Sequence, residues 1–122
     1  MNVQTFANFE EAGQAVLKFL HQRFGFNLWA ITRVENNNLI LLQSEDHGYG
    51  LKPGQVMHWA DSFCSLMVAG KGPRIAPKTD EVEIYASARV AQQVPIKAYI
   101  GQPIVKENGD LFGTLCALDP AP

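Results

Sequence analysis

The chain has 122 residues, enough for one domain with one buried core. Its 47% hydrophobic and 18% charged residues belong to a folded globular protein and exclude a disordered tail. A formal net charge of −2, with Lys and Arg scattered along the chain, excludes the basic field that attracts nucleic acid, and no apolar run approaches the ~20 residues of a membrane span.

Met1-Asn2-Val3-Gln4 has neither the basic start nor the apolar stretch of a signal peptide. Asn8 followed by Glu11 predicts a capped helix start. Behind it Phe9, Ala12, Val16, Phe19, Leu20 and Phe24 recur at three- and four-residue steps, one apolar stripe on a helix spanning roughly 8–24. Gly25 is the expected stop.

Leu28–Val34 and Leu39–Ser44 are two β-prone runs separated by Asn36-Asn37, which predicts a hairpin. Ile31, Leu39, Ile40, Leu41 and Leu42 put apolar side chains on both strand faces, so the sheet is expected to be covered on both sides. The segment 46–54 is turn-rich and reads as a loop. A second helix is expected from an Asp61 N-cap, with Phe63, Leu66 and Met67 on its apolar side and Gly70 at its end. Pro73 to Ala76 reads as a short strand, and 79–94 as weakly patterned with a short helix near Ala88–Gln93.

Lys97–Val105 and Leu111–Leu118 flank Asn108-Gly109, the preferred pair for a type I′ turn. Counting outward from that tip pairs Val105 with Phe112, Pro103 with Thr114, Gly101 with Cys116 and Tyr99 with Leu118. One face of the hairpin then carries Tyr99, Gly101, Thr114 and Cys116, mostly small; the other carries Ala98, Ile100, Ile104, Leu115 and Ala117. The order of elements predicts an α+β domain, an antiparallel sheet with helices on one side and a loop-and-helix cover on the other.

Ala98-Tyr99-Ile100-Gly101-Gln102-Pro103-Ile104, then Asn108-Gly109, then Phe112-Gly113-Thr114-Leu115-Cys116-Ala117-Leu118-Asp119-Pro120 resembles the C-terminal half of GAF domains. Trp59 to Met67 and Gly72 to Pro77 are similar to the middle helix and following strand of that family. The wording is nearest to GAF domains that precede diguanylate cyclase (GGDEF) domains in bacteria, and similar ones precede histidine kinases. The resemblance implies a GAF-like fold related to the profilin and PAS arrangement, with residues 1–122 forming one sensory domain of a longer cytoplasmic signalling protein. It implies a small-molecule ligand on the small-residue sheet face, a homodimer and an attached output domain, with neither nucleic acid nor membrane insertion as a partner and no catalysis in this chain.

The pocket candidates are Trp59, Phe63, Met67, Tyr99, Thr114 and Cys116. Space above the small-residue face is filled either by a ligand or by side chains of the cover such as Trp59, Phe63 and Met67. Two cysteines, Cys64 and Cys116, cannot build a disulfide framework or a four-ligand zinc site. Relatives that bind bilin commonly carry histidine after the anchoring cysteine; here Ser65 follows Cys64, which argues against bilin attachment and leaves any other cofactor unnamed. A ligand-free dimerisation module is the alternative, and an enzyme of the free methionine sulfoxide reductase type, using Cys64 and Cys116, is the remote one. Arg74 could meet an anionic ligand, with an ion pair to Asp61 or Asp80 preferred; His21 is expected in solvent and His47 in a loop hydrogen bond.

Overall fold

The structure, a computed structural model, describes residues 9–122. Its first helix, α1, is Phe9–Phe24, with Glu10 and Glu11 in the first turn and His21 and Arg23 in the last, as the helix dipole favours. Asn8, the expected cap, lies outside the described residues. Gly25, at φ +75°, donates its N–H to His21 O at 2.9 Å and ends the helix.

The apolar stripe needs correction. Leu17, absent from it, is fully buried, whereas Phe19 and Phe24 are 60% and 58% exposed. At about 100° per residue, Phe19 points almost opposite to Leu17. Phe24, the last residue of the helix, meets the Trp29 ring, with ring centroids 6.3 Å apart. His21 also departs from expectation: its ring stacks on that of His47 at 3.8 Å, and its Nδ1 lies 3.0 Å from Phe26 O.

Strands β1 (Leu28–Glu35) and β2 (Asn38–Asp46) form the first hairpin. Asn36 and Asn37 turn it with φ of 50° and 66°, the left-handed pair a type I′ turn requires. The 46–54 loop is organised by Asp46, whose carboxylate accepts from the backbone N–H groups of Gly48, Tyr49 and Leu51 at 3.0, 2.8 and 2.7 Å. His47 makes the loop contact expected of it, Nε2 lying 2.7 Å from Glu45 Oε2. Strand β3 (Val56–His58) then pairs with β2.

Helix α2 is Phe63–Val68, and its cap is Ser62, not Asp61. A 3-10 turn at Trp59–Asp61 takes up the expected cap position, so the chain becomes α-helical one residue later. Ser62 Oγ accepts from Ser65 N at 3.1 Å, and Gly70 at φ +76° closes the helix. A short strand β4 (Ile75–Ala76) pairs with β5 (Ala98–Val105). Between them lie α3 (Glu83–Ala86), unforeseen, and α4 (Arg89–Gln93), where a short helix was expected. Because β4 pairs with β5, Arg74 reaches Gln102 Oε1 at 3.4 Å and makes neither expected ion pair; Asp80 instead meets Lys97 Nζ at 2.8 Å.

The last hairpin, β5 with β6 (Leu111–Asp119), keeps the expected partners Tyr99–Leu118, Gly101–Cys116 and Pro103–Thr114, but its tip differs. Gly109 N bonds Lys106 O at 2.9 Å and Lys106 N bonds Asp110 O at 2.7 Å. Glu107 and Asn108 are thus the central turn residues, and Gly109, at φ +90°, is a bulge residue. Val105 consequently faces Leu111, not Phe112. A register shift between Ile104 and Val105 restores the expected register beyond it.

The six strands among the described residues lie in one antiparallel sheet, in the order β3-β2-β1-β6-β5-β4. One face packs on α1 through Leu17, Trp29, Ile31 and Ala117. The other carries the larger core, in which Leu28, Ala30, Tyr99 and Cys116 of the sheet meet Phe63, Cys64, Met67, Tyr85 and Val90 of the cover. The expected α+β architecture, covered on both faces, is present.

Candidate ligand cavity

Strands β1 and β6 are central, and their pairing sets Ala30 beside Cys116 and Thr32 beside Thr114. Over this floor lies a cavity of about 200 Å³. Leu28, Ala30 and Thr32 of β1, Leu39 and Leu41 of β2, Tyr99 of β5, and Cys116 and Leu118 of β6 form its base. Phe63 and Cys64 of α2 and Val90, Val94 and Ile96 around α4 form its roof, with Leu51, Gln55, Val56, Met57 and Ser62 completing the wall. Among these described lining residues none is Asp, Glu, Lys, Arg or His.

The polar groups of the wall are largely satisfied within the protein. Thr32 Oγ1 accepts from Thr114 N at 3.1 Å and lies 2.6 Å from Thr114 Oγ1. Ser62 Oγ donates to Trp59 O at 2.7 Å. Tyr99 Oη and Thr114 Oγ1 both donate to Cys64 Sγ, at 3.3 and 3.4 Å. The Cys64 thiol is pulled down to about 7 by a hydrogen bond from Cys116, which with those of Thr114 and Tyr99 outweighs the opposing effect of burial. The same sulfur–sulfur hydrogen bond, together with burial and the neighbouring Cys64 charge, pushes Cys116 well above the usual thiol range. Tyr99 is raised by burial and by the two thiols beside it.

Of the residues singled out from sequence, Phe63, Tyr99 and Cys116 stand on the cavity wall. Met67 is buried over Gly101 instead, where a β-carbon would lie 2.9 Å from Met67 Cε and fall on Tyr99 Oη. Thr114 is fully buried behind the wall, holding Thr32 and Cys64. Trp59 is half-buried against the core of the cover. The space expected above Gly101 is therefore taken by Tyr99 and Met67, and the cavity opens further across the sheet, above Ala30 and Thr32. Their role escaped the sequence because it depends on the β1–β6 pairing. The alternation Leu28, Ala30, Thr32 was the available signal, since it puts these three on one face.

Among the described residues no three His, Cys, Asp or Glu side chains converge as metal ligands. No helix among them is long and apolar enough to cross a membrane.

No protein-family model matches the chain, and no curated protein does. Solved structures do. The chromophore-binding domain of a Stigmatella aurantiaca phytochrome superposes with a TM-score of 0.73 at 14% identity, covering 98% of this chain and 48% of that one. The GAF domain of an Acinetobacter phosphoenolpyruvate-protein phosphotransferase gives 0.70 at 12% identity, covering 98% and 71%. The free methionine-R-sulfoxide reductase of Neisseria meningitidis, solved with its substrate, gives 0.65 at 16% identity, covering 88% and 60%. The chain thus spans about half of the phytochrome structure and less than two thirds of the reductase. At these identities the likeness concerns the fold, and the fold is that of GAF domains.

Proposed function

We propose that this GAF-fold chain is a sensory or regulatory module that binds a small, uncharged and largely apolar molecule between its sheet and the α2–α4 cover. The occupied state biases an attached output domain of a bacterial, cytoplasmic signalling protein, a diguanylate cyclase first and a histidine kinase second. The observation that carries this reading is the cavity with no charged residue on its wall. Burying an unpaired ionic group there is heavily penalised, which disfavours a cyclic nucleotide. At about 200 Å³, the space exceeds the ~150 Å³ apolar cavity that admits benzene and falls short of the ~300–1,000 Å³ of drug-sized sites. A tetrapyrrole is too large for it. Phe63, Tyr99 and Cys116 are the direct contacts; Met67 and Thr114 support them from behind, and Trp59 flanks the roof.

Native mass spectrometry of the purified chain, before and after denaturation, tests the reading. A small mass that leaves on unfolding supports it; an apo chain that also takes up no indole, offered as a neutral ring probe, refutes it. A second reading, a homodimerisation module, is favoured by the exposed Phe19 and Phe24 on α1. It predicts that Phe19→Ser lowers the dimer fraction in the same spectra. In both readings the chain is not itself an enzyme, and turnover of free methionine sulfoxide that Cys64→Ser or Cys116→Ser abolishes would refute that part.

A further inference from the structure

We propose that Cys64 and Cys116 form a reversible oxidation site in the cavity wall, where a small hydroperoxide converts the two thiols into one disulfide joining the cover to the sheet. Both cysteines are free and buried, and both line the same cavity. They come from opposite layers, Cys64 from α2 and Cys116 from β6.

The hydrogen-bond geometry locates one sulfur over the other. Cys64 Sγ lies within 3.3 Å of Tyr99 Oη and 3.4 Å of Thr114 Oγ1. Tyr99 Oη sits over Gly101, whose cross-strand partner is Cys116. Thr114 precedes Cys116 by two residues on the same strand face. Both anchors of Cys64 Sγ are therefore immediate neighbours of Cys116 on this face.

The roles follow from the donors. Two hydroxyls donate to Cys64 Sγ, which suits a thiolate and makes Cys64 the attacking sulfur. Cys116 retains its proton and is the resolving thiol. In the first step Cys64 sulfur attacks the peroxide, an S–O bond forms, the O–O bond breaks, and the alcohol or water leaves with the proton that Cys64 gave up. In the second, Cys116 sulfur attacks the sulfenic sulfur, an S–S bond forms, the S–O bond breaks, and water leaves with the Cys116 proton. Two thiols are oxidised by two electrons and one hydroperoxide is reduced. The cavity supplies the path to sulfurs that are otherwise covered. The site needs no resident ligand, so it stands or falls apart from the ligand-binding reading.

The test uses the reduced 122-residue chain, treated with hydrogen peroxide and then alkylated with N-ethylmaleimide under denaturing, non-reducing conditions. The expected product is a monomer about 2 Da lighter, free of maleimide, containing a Cys64–Cys116 linked peptide, and restored by dithiothreitol. Two alkylated thiols after excess peroxide would overturn the proposal, as would disulfides formed only between chains or over-oxidised cysteine without a disulfide. Cys116→Ser should stop at a dimedone-reactive sulfenic acid on Cys64, and Cys64→Ser should leave Cys116 unmodified at the same dose; the reverse pattern overturns the assignment of roles. Should a serine variant fail to fold, the intact mass of the unsubstituted chain still decides.

Discussion

Ala30→Leu tests the cavity and its use at once. Ala30 is 1% exposed, lies on central β1 between Ser44 and Cys116, and presents its methyl group to the cavity. Leucine adds three carbons at a point where the protein leaves space. Burying them at ~0.8 kcal/mol each sets an upper bound near ~2.4 kcal/mol. Ordering the longer side chain costs about 0.5–1 kcal/mol, leaving a net gain of about 1–2 kcal/mol. For a domain of this size that raises Tm by about 3–8 °C. The assay is chemical and thermal unfolding beside native mass spectrometry of the same preparation, where the co-purifying mass or indole uptake should fall at least about tenfold. Leu17→Ala is the control from the opposite sheet face: a fully buried side chain whose truncation costs about 2–5 kcal/mol without touching the cavity. If Ala30→Leu destabilises the chain by more than about 1 kcal/mol, as overpacking does, the space is already filled. If it stabilises the chain and uptake is unchanged, the ligand binds elsewhere.

Gly113→Ala should destabilise the chain by about 3 kcal/mol or more, since its β-carbon would run into the Thr32 carbonyl and lie 2.9 Å from Arg33 Cα, forcing β1 from β6. Gly101→Ala meets only the ends of Tyr99 and Met67 and should cost less, about 1–3 kcal/mol; equal losses in urea unfolding would contradict this ordering. Ser62→Ala removes the α2 cap and should cost about 1 kcal/mol, whereas Asp61→Ala should change stability by less than about 0.5 kcal/mol; the opposite ranking would return the cap to Asp61. Burial raises the Asp46 carboxyl, but backbone N–H donors from Gly48, Tyr49, Leu51 and Gly50 outweigh it and hold it below its ordinary 3.8. Its stabilisation is therefore complete above that value and lost as pH falls through the lower folded one. Asp46→Asn should cost about 1 kcal/mol at pH 7, discounted for solvent screening, and nothing near pH 2. A uniform loss at both pH values would show that the carboxylate charge is not what organises the loop.

What could be read from the residues was what adjacent residues decide. Asn36-Asn37 specified its own turn, and apolar residues on both faces of β1 and β2 called for a sheet buried on both sides. The pairs Gly101–Cys116 and Pro103–Thr114 came out as counted although the tip was mistaken. One extra turn residue at Gly109 moved the register by one, and the shift beside Ile104 moved it back. What stayed hidden depends on partners distant in sequence. β1 lies beside β6 across more than half the chain, and no local periodicity announces that Ala30 and Thr32 will share a floor with Cys116. In the cover, α2 and the short helix near 88–93 were legible, but α3 was not, because its four residues are too few to show a period and it is fixed by Tyr85 reaching the core.

Gly101 shows how a pattern correctly noticed admits two readings. Small residues on one sheet face leave room for a ligand or for side chains of the cover, and over Gly101 that room is filled by Met67 of the cover and by Tyr99 of the same strand. Tyr99 lies along β5 over Gly101, with Phe63 and Tyr85 packed edge-on against its ring at 5.5 and 5.4 Å. So held, its hydroxyl reaches Cys64. A glycine two residues after an aromatic on a buried strand is thus as much a berth for that ring as a sign of a pocket. The sequence marker of the cavity itself is alanine in place of a larger aliphatic residue at position 30, on a central strand where β-branched residues usually stand. If Ala30→Leu stabilises the chain as expected, folding alone does not account for alanine at this position.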